Sequence, residues 1–389
     1  MGKPEAVIVG VADAPLKDGK VLTPMSVLQL QALAARDALA DAGIPMREVD
    51  GLLTAGMWGV PGPGQLATVT LSEYLGIVPR FVDGTNIGGS AFEAHVAHAA
   101  MAIEAGRCEG ALITYGSLQR SEASRNLAGR PSVLTMQYET PWGMPTPVGG
   151  YALAAMRHMH EFGTTSEHLA EIAVATRKWA ALNPGATNRG PLSIGDVLKS
   201  PMISDPLHLL DACLVTDGGG AIVMTSAAHA KALGRKAVHV RGYGEAHTHW
   251  TIAAMPDLAR LTAAEVAGRQ AFAMAGIGHD AIDVVELYDS FTITVLLTLE
   301  ALGFCKRGEG GAFVAGQRTA PGGPFPLNTN GGGLCYAHPG MYGIFLLIEA
   351  VRQLRGECGE RQIKDAVTAL VHGTGGTLSS GATCILSTR

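Results

Sequence analysis

Charged residues make up only 16% of this 389-residue chain, and its net charge is −5 at pH 7. No block of like charges occurs, which argues against nucleic acid and against an anionic membrane surface as partners. No apolar run approaches the ~18–20 residues of a membrane-spanning helix, because the one at residues 292–299 is short and Glu300 follows it. Residues 1–10 lack the basic-then-apolar order of a signal peptide. We therefore expect a cytoplasmic protein without a membrane span.

Cysteine is also sparse, and the six cysteines are scattered with no Cys-x-x-Cys spacing. This pattern predicts reduced, mostly buried thiols. Three close histidine pairs lack the spacing or the Cys and carboxylate partners of a metal site, so we predict no metal. These pairs are His95 with His98, His158 with His160, and His247 with His249. Glycine is abundant, with 51 residues, and 47% of the chain is hydrophobic, which predicts a large core with many tight turns.

Two stretches of the sequence, residues 34–53 and 267–286, follow one plan. Each has Ala-rich helical spacing, reaches a glycine where the helix should end, and continues through a polar turn into an apolar strand. Three residue pairs fall in register without a gap: Arg36 with Arg269, Gly43 with Gly276, and Asp50 with Asp283. The repeat predicts two halves of similar structure.

A second repeated feature is a glycine-rich turn that begins an apolar helix, and it occurs twice in the chain. The turn at residues 88–90 opens a helix through Ala105, and the turn at residues 340–343 opens one through Leu354. A strand follows each helix, so each half alternates strand and helix, as in layered α/β folds. The two helix N-termini carry free N–H groups and partial positive charge, which suit a thioester oxygen or an enolate.

The segment between the two halves has the features of an insertion that covers the active-site face. It contains a loop at residues 143–147 and helices near residues 152–161 and 167–181, followed by Asn183-Pro184-Gly185. We therefore expect three units. They are an N-terminal half at residues 1–117, a loop or insertion domain at residues 118–242, and a C-terminal half at residues 243–389.

A series of motifs spans nearly the whole chain in a specific order. They are residues 159–167 with 183–186, residues 217–223, residues 285–291 with 300–303, residues 328–332 with His338-Pro339, and residues 372–376. In this order the chain resembles the thiolase superfamily. It looks most like the sterol-carrier-type thiolases and their "lipid-transfer protein" relatives, which include aldolases that shorten steroid side chains. The resemblance implies an α/β fold of five layers, αβαβα, and homodimers or dimers of dimers.

The two positions that carry catalytic cysteines in thiolases hold other residues here. The nucleophilic Cys at the opening of the first-half helix corresponds to Gly89, or with a shift of one residue to Ser90. The second Cys corresponds to His372. Loss of both thiols argues against a Cys-based acyl-enzyme. A nucleophilic Ser90 would need a matched base, and no Ser-His-Asp spacing is evident.

Polar residues nevertheless stand at the loops that form the family's active site. His338 keeps the His-Pro position that binds the thioester oxygen in the family. Tyr288 stands where thiolases have Asn and sterol-carrier-type thiolases have His, and Tyr336 lies two residues before His338. Each tyrosine could instead be an aromatic core residue with a satisfied hydroxyl. Together they indicate polar chemistry without a covalent thiol.

The reaction that this resemblance implies is retro-aldol cleavage of a β-hydroxyacyl-CoA, in which the thioester itself accepts the electron pair. We assign Tyr288 as base or acid at the β-hydroxyl, and His338 with backbone N–H groups to the enolate oxygen. Asp289, Tyr336 and His372 would orient groups or relay protons. Substrate-binding residues are expected at Gly89, Ser90, Asn330, Gly375 and Gly376.

Coenzyme A would enter as part of the substrate, and we expect no other cofactor. The steroid-cleaving relatives work with a small zinc-ribbon and OB-fold protein that binds acyl-CoA, so the resemblance implies a similar partner. Two alternatives stay open. One is a thiolase-like acyltransferase with Ser90 or Cys335 as nucleophile, and the other is a non-catalytic acyl-CoA or lipid-binding protein on a thiolase fold.

Overall fold

The structure is a computed structural model that describes residues 5–56, 66–122, 133–145 and 147–389. Thr146, in the expected loop at residues 143–147, and residues 1–4 lie outside the described residues. The strands are β1 (Ala6–Asp13), β2 (Leu16–Lys17), β3 (Lys20–Val21), β4 (Gly51–Leu53), β5 (Phe81–Asp83), β6 (Gly110–Ser117), β7 (Met202–Ser204), β8 (Leu207–His208), β9 (Gly218–Ser226), β10 (Val238–His247), β11 (Val284–Leu287), β12 (Thr368–Gly375) and β13 (Ser380–Ser387). The helices are α1 (Val27–Ala42), α2 (Ala67–Leu75), α3 (Ala91–Glu104), α4 (Val133–Tyr138), α5 (Val148–Phe162), α6 (Ser166–Ala181), α7 (Ile194–Lys199), α8 (Ala227–Ala232), α9 (Thr262–Ala275), α10 (Thr292–Ala301), α11 (Gly310–Val314) and α12 (Gly343–Arg355).

The main sheet has nine strands in the order β11-β12-β13-β10-β1-β9-β6-β4-β5. The strands on either side of the β1–β10 junction mirror each other, since β11, β12, β13 and β10 repeat the arrangement of β4, β6, β9 and β1. In each set the first two strands are parallel and the following pairs are antiparallel. The two halves therefore share one topology, as the sequence repeat predicted.

Two of the three residue pairs that fell in register, the glycines and the aspartates, have the same role in both halves. Gly43 ends α1 with φ 69°, and Gly276 ends α9 with φ 67°, a left-handed conformation that favours glycine. The Asp50 carboxylate accepts the backbone N–H that begins β6 at 2.9 Å, and Asp283 accepts the N–H that begins β12 at 2.9 Å. In both halves an aspartate thus fixes how two parallel strands meet.

Three hydrophobic clusters arrange the helices in layers. One joins α1 and α8 to the outer face of β1, β6 and β9, and another joins α9 and α10 to the outer face of β11, β12 and β13. The third contains α3 and α12, which contact each other and strands of both halves. The order of layers is therefore αβαβα, and α3 and α12 form the buried middle layer. The expected fold class is confirmed.

The covering segment differs from the expected insertion at its C-terminal end. Helices α5 and α6 lie close to the two that the sequence predicted. However, β9 lies inside the sheet between β1 and β6, and β10 begins at Val238. The described elements of this segment outside the main sheet, α4 to α7 with β7 and β8, thus end before β9, because the glycine-rich stretch that forms β9 is a buried strand of that sheet. Within the described ranges no helix has the length and apolar character needed to cross a membrane.

Candidate active site

A tyrosine and a histidine from two loops form the centre of the candidate site. Tyr288 follows β11, and His338 follows a π-helical turn at Gly332–Tyr336. The Tyr288 hydroxyl lies 2.9 Å from His338 Nε2 and 3.5 Å from the Gly340 carbonyl oxygen. The rings meet edge to face, with centroids 5.6 Å apart. The two side chains, 4% and 5% exposed, are thus shielded from bulk water.

Burial determines the protonation state of this pair. It raises the pKa of Tyr288 well above 10 and lowers the pKa of His338 to about 4. At neutral pH the phenol therefore keeps its proton and the imidazole is uncharged. The partner that the structure gives Tyr288 is a neutral acceptor rather than a cation. Tyr288 can take up a proton from a ligand only as its own proton passes to His338 Nε2.

Gly89, at the opening of α3, provides the space that Tyr288 occupies. A Cβ atom on residue 89 would lie 2.1 Å from Tyr288 Cε2 and 2.6 Å from the Thr374 carbonyl oxygen. These distances are far below van der Waals contact, so no side chain fits at residue 89 while the ring is in place. The phenol thus fills the position that the resemblance assigned to the nucleophilic cysteine.

Asp289 connects the two loops that carry the pair. Its carboxylate accepts the backbone N–H groups of Gly333 at 2.6 Å and Leu334 at 3.1 Å. Burial raises the pKa of Asp289 to about 7. Because Asp289 follows Tyr288 directly and the two N–H groups belong to the turn before His338, this contact fixes one ring relative to the other. The orienting role assigned to Asp289 in the reaction stays a prediction.

Asn330 supports the Tyr288–His338 pair indirectly, through Tyr342 and Gly332. The Tyr342 ring stacks on His338 with an interplanar angle of 21°, and its hydroxyl donates to Asn330 Oδ1 at 2.9 Å. The same oxygen accepts the Gly332 N–H at 2.8 Å. We expected Asn330 to bind substrate, but both contacts hold protein groups in place. Its side chain therefore positions the histidine-bearing turn.

Tyr336 and His372 do not reach the Tyr288 hydroxyl. The Tyr336 hydroxyl donates to Asp13 at the end of β1. The His372 ring bonds the Thr383 hydroxyl at 2.8 Å and faces α9, whereas the next residue, Gly373, faces α3. Side chains alternate across a strand, so His372 lies on the opposite face of β12 from Gly89. His372 therefore does not contact the Tyr288–His338 pair in this structure, and its expected relay role stays a prediction.

The three other expected binding residues surround the opening of α3. Ser90 Oγ donates to the Ile87 carbonyl oxygen at 3.1 Å and lies 2.9 Å from Ser380 Oγ, and no histidine or carboxylate of the described residues bonds it. Gly375 and Gly376 pack against Gly88, where an added Cβ would lie 2.8 Å from the Gly376 nitrogen. Ser90 therefore lacks the base that a nucleophile requires, and the two glycines allow the β12–β13 turn to approach α3.

None of the six thiols is activated. Burial raises the pKa of every one of them, to about 11 for Cys108 and Cys335, to about 12 for Cys305, and further for Cys213, Cys358 and Cys384. Cys335 Sγ accepts Arg177 Nε–H at 3.0 Å. Among the described residues, no group of three or more His, Cys, Asp or Glu side chains could hold a metal ion.

Sequence reasoning missed Tyr151, which lies on α5 in the covering segment. Its hydroxyl donates to the Gly376 carbonyl oxygen at 3.0 Å, and its ring lies 4.4 Å from that of Phe291. Tyr151 therefore ties the covering segment to the β12–β13 turn and to the loop after Tyr288. Gly149 and Gly150 directly precede Tyr151, and their lack of side chains lets α5 approach its neighbours closely. This glycine pair was the one signal in the sequence that pointed to Tyr151.

Glu93 was also missed, one helical turn after Gly89. Its side chain is 1% exposed, and neither carboxyl oxygen has a hydrogen-bond partner among the described residues. Space for it comes from two glycines, since a Cβ at Gly343 or Gly373 would lie within 2.5 Å of Glu93 Oε2. Burial raises the pKa of Glu93 to about 8, so the carboxyl is protonated at neutral pH.

Glu93→Gln should make the protein more stable at alkaline pH. A carboxyl with a folded pKa of about 8 and an ordinary unfolded value near 4.5 contributes stability that is present below pH 4.5 and lost as pH rises through 8. At pH 8–9 the variant should exceed wild type by more than about 1 kcal/mol in free energy of unfolding, with little difference at pH 4.5. Urea denaturation at both pH values measures this. Equal curves for the two proteins at pH 9 would contradict it.

Known proteins resemble the chain over most of its length. Residues 244–388 match the family model described as "Thiolase C-terminal domain-like". The "17-hydroxy-3-oxo-4-pregnene-20-carboxyl-CoA lyase" of Mycobacterium tuberculosis is 36% identical over 91% of this chain and 92% of that protein. The "Acetyl-CoA acetyltransferase" of Methanothermobacter thermautotrophicus is 30% identical over 98% of this chain and 99% of its own length.

One solved structure, "Ltp2-ChsH2(DUF35) aldolase", has a TM-score of 0.84 to this chain. It is 31% identical and covers 99% of this chain and 98% of its own. Similarity of fold and sequence thus extends through both halves and the covering segment.

Proposed function

This chain belongs to the thiolase superfamily, and we propose that it cleaves the Cα–Cβ bond of a β-hydroxyacyl-CoA by a retro-aldol reaction without a cysteine nucleophile. It is a carbon–carbon lyase of thiolase type, similar to relatives that are named lyase and aldolase. One observation carries the proposal. The Tyr288 phenol fills the space over Gly89 and bonds His338, so a proton-transfer pair stands where a thiol would.

The pair can supply both proton transfers that the reaction needs. Tyr288 accepts the proton of the β-hydroxyl as its own proton passes to His338 Nε2. The O–H electron pair then forms the C=O bond of the ketone or aldehyde product, and the pair of the Cα–Cβ bond moves into the enolate of the CoA thioester. Return of the proton through the same two groups to Cα completes the cycle. The enzyme neither gains nor loses a proton over the whole cycle. This suits proton transfer through two groups that are uncharged at rest, in a site shielded from bulk water.

The thioester oxygen gains negative charge in this step and needs donors. The N-termini of α3 and α12 adjoin the pair, since Gly89 opens one and Tyr342 precedes the other. Free N–H groups at such termini stabilise an enolate oxygen. We therefore assign His338 to proton transfer and leave the oxygen to backbone N–H groups.

The substrate class follows from the names of the relatives. The Mycobacterium relative is named for a steroid carboxyl-CoA substrate, and the solved structure pairs Ltp2 with ChsH2 (DUF35). We propose a steroid or aromatic side-chain acyl-CoA as substrate and a small zinc-ribbon/OB-fold protein as acyl-CoA-binding partner. The chain would act as a homodimer or dimer of dimers in the cytoplasm, with coenzyme A present as part of the substrate.

The acetyltransferase relative keeps acyl transfer as a second candidate. That reaction needs a nucleophile, and the site does not favour one. In the part of the chain that the structure describes, no base bonds Ser90, and burial raises the pKa of Cys335 to about 11. A non-catalytic acyl-CoA-binding protein would also bind the substrate but would not turn it over.

The test is product analysis together with intact-mass spectrometry. With its partner present, the protein should release a ketone or aldehyde from a panel of β-hydroxyacyl-CoA compounds, because the pair can remove the hydroxyl proton. The protein mass should stay unchanged during turnover, because no thiol is activated. An acyl adduct on Ser90 or Cys335, with thiolysis by free CoA, would establish the acyltransferase instead. Tight binding without any turnover would establish the binding protein.

A further inference from the structure

A cavity of about 410 Å³ lies behind the turn that carries His338. Its lining includes Asp13 at the end of β1, Tyr336 from the turn, and Phe345 and Arg352 from α12. The Tyr336 ring packs edge to face on Phe345, with centroids 6.2 Å apart, and Tyr336 also lines the cavity. Packing therefore encloses this ring incompletely, because open space adjoins Tyr336.

Polar contacts also hold the Tyr336 side chain. The Tyr336 hydroxyl donates to Asp13 Oδ2, and Asp13 Oδ1 accepts Arg352 Nη2 at 2.6 Å. Burial by itself would raise the pKa of Asp13, but the charge and hydrogen bond of Arg352 lower it below its ordinary value. Asp13 is therefore ionised at neutral pH and holds the phenol and the guanidinium at the same time.

The backbone of the turn transmits this contact to the candidate site. Tyr336 ends the π-helical turn, and His338 follows two residues later. Asp289 fixes the start of the turn through Gly333 and Leu334, and the Thr216 hydroxyl accepts the His338 N–H at 3.0 Å. Asp13 belongs to the first half and Arg352 to the second, so the contact also fixes the two halves relative to each other beside the turn.

We infer that Asp13 and Arg352 are positioning residues, which hold Tyr336 and thereby keep His338 Nε2 within reach of the Tyr288 hydroxyl. This inference rests on the proposed function for its effect on rate, but the geometry of His338 can be measured without turnover. A displacement of about 1 Å at a reacting group can lower rate as much as ~10²-fold. Loss of a contact outside the pair should therefore lower kcat and leave KM nearly unchanged.

The experiment compares Tyr336→Phe, Asp13→Asn and the double variant, each with the partner protein and a β-hydroxyacyl-CoA substrate present. Each single variant should lower kcat by ~10–100-fold, with KM within about twofold of wild type. The double variant should be no slower than the slower single one, because the two side chains act as a unit. In free protein labelled with ¹⁵N-histidine, the His338 ring nitrogens should shift in both single variants.

Arg361→Lys is the matched control. Arg361 lines the same cavity but bonds Glu349 through Nε at 2.8 Å rather than the turn. It should change stability while leaving kcat and the His338 signals as in wild type. Wild-type kcat and unshifted His338 signals in Tyr336→Phe and Asp13→Asn would overturn the inference. If wild type shows no lyase activity but the signals still shift, the proposed function fails and the positioning contact stands.

Discussion

Tyr288→Phe should lower turnover of a β-hydroxyacyl-CoA by ~10²–10⁴-fold, the usual contribution of general acid–base catalysis. The change removes only the hydroxyl that lies 2.9 Å from His338 Nε2. The ring keeps its place over Gly89, so folding should be preserved. Affinity for the acyl-CoA should change little, because the lost contact matters mainly in the transition state. Release of ketone or aldehyde, followed with the partner present, gives kcat and KM.

The control is Tyr243→Phe, which removes a phenol hydroxyl from β10 outside the site and should leave turnover unchanged. His338→Gln combined with Tyr288→Phe should be little slower than either variant alone, because the two groups move one proton. Wild-type turnover in Tyr288→Phe would remove the tyrosine from the mechanism and leave His338 as the leading candidate.

Local patterns predicted the fold well. The glycines at the ends of α1 and α9 and the aspartates before β4 and β11 follow rules that need few neighbours, so they could be read from the sequence. Strand β9 was misplaced because it is glycine-rich and buried on both faces, and only pairing with β1 and β6 shows that it belongs to the sheet. The β-strand propensity of the residues in β9 carries no information about which strands they pair with.

The site was predictable in its residue types but not in its contacts. Tyr288, His338 and Asp289 stood out because their motifs lie in the family order. That the Tyr288 hydroxyl bonds His338, 50 positions away in sequence, depends on how two loops meet. The direction of the His372 side chain was not predictable, because a shift of one position in a strand reverses the face of the side chain. Tyr151 and Glu93 had no motif, and their roles arise from burial between layers.

Gly89 also shows what the resemblance alone could not decide. The sequence left Gly89 or Ser90 as the position of the lost nucleophile. The structure favours Gly89, because the space that its side chain would fill is occupied by the Tyr288 ring. Loss of the thiol and gain of the phenol are therefore linked changes, since neither side chain tolerates the other in its present position.

Gly89→Ala should accordingly cost nearly as much activity as loss of the hydroxyl. The new methyl group would lie 2.1 Å from Tyr288 Cε2, so the ring must move away from His338. Such overpacking should lower the free energy of unfolding by ~1–3 kcal/mol. Displacement of the hydroxyl should lower kcat by ~10²-fold. Thermal unfolding and the ketone-release assay measure the two effects.

Gly278→Ala is the matched control, because a Cβ there would have no heavy atom of the described residues within 4 Å, apart from its own chain neighbours. It should behave as wild type in both assays.

A second comparison measures how much of the loss of stability comes from the Tyr288 ring rather than from the rest of the site. In a Tyr288→Ala background, Gly89→Ala should destabilise the protein less than it does in wild type, because the two shortest contacts of the new methyl group, both with the Tyr288 ring, are removed. An equal loss of stability in the two backgrounds would show that the ring does not occupy the space over Gly89, and the substitution of a phenol for the thiol would then lose its structural basis.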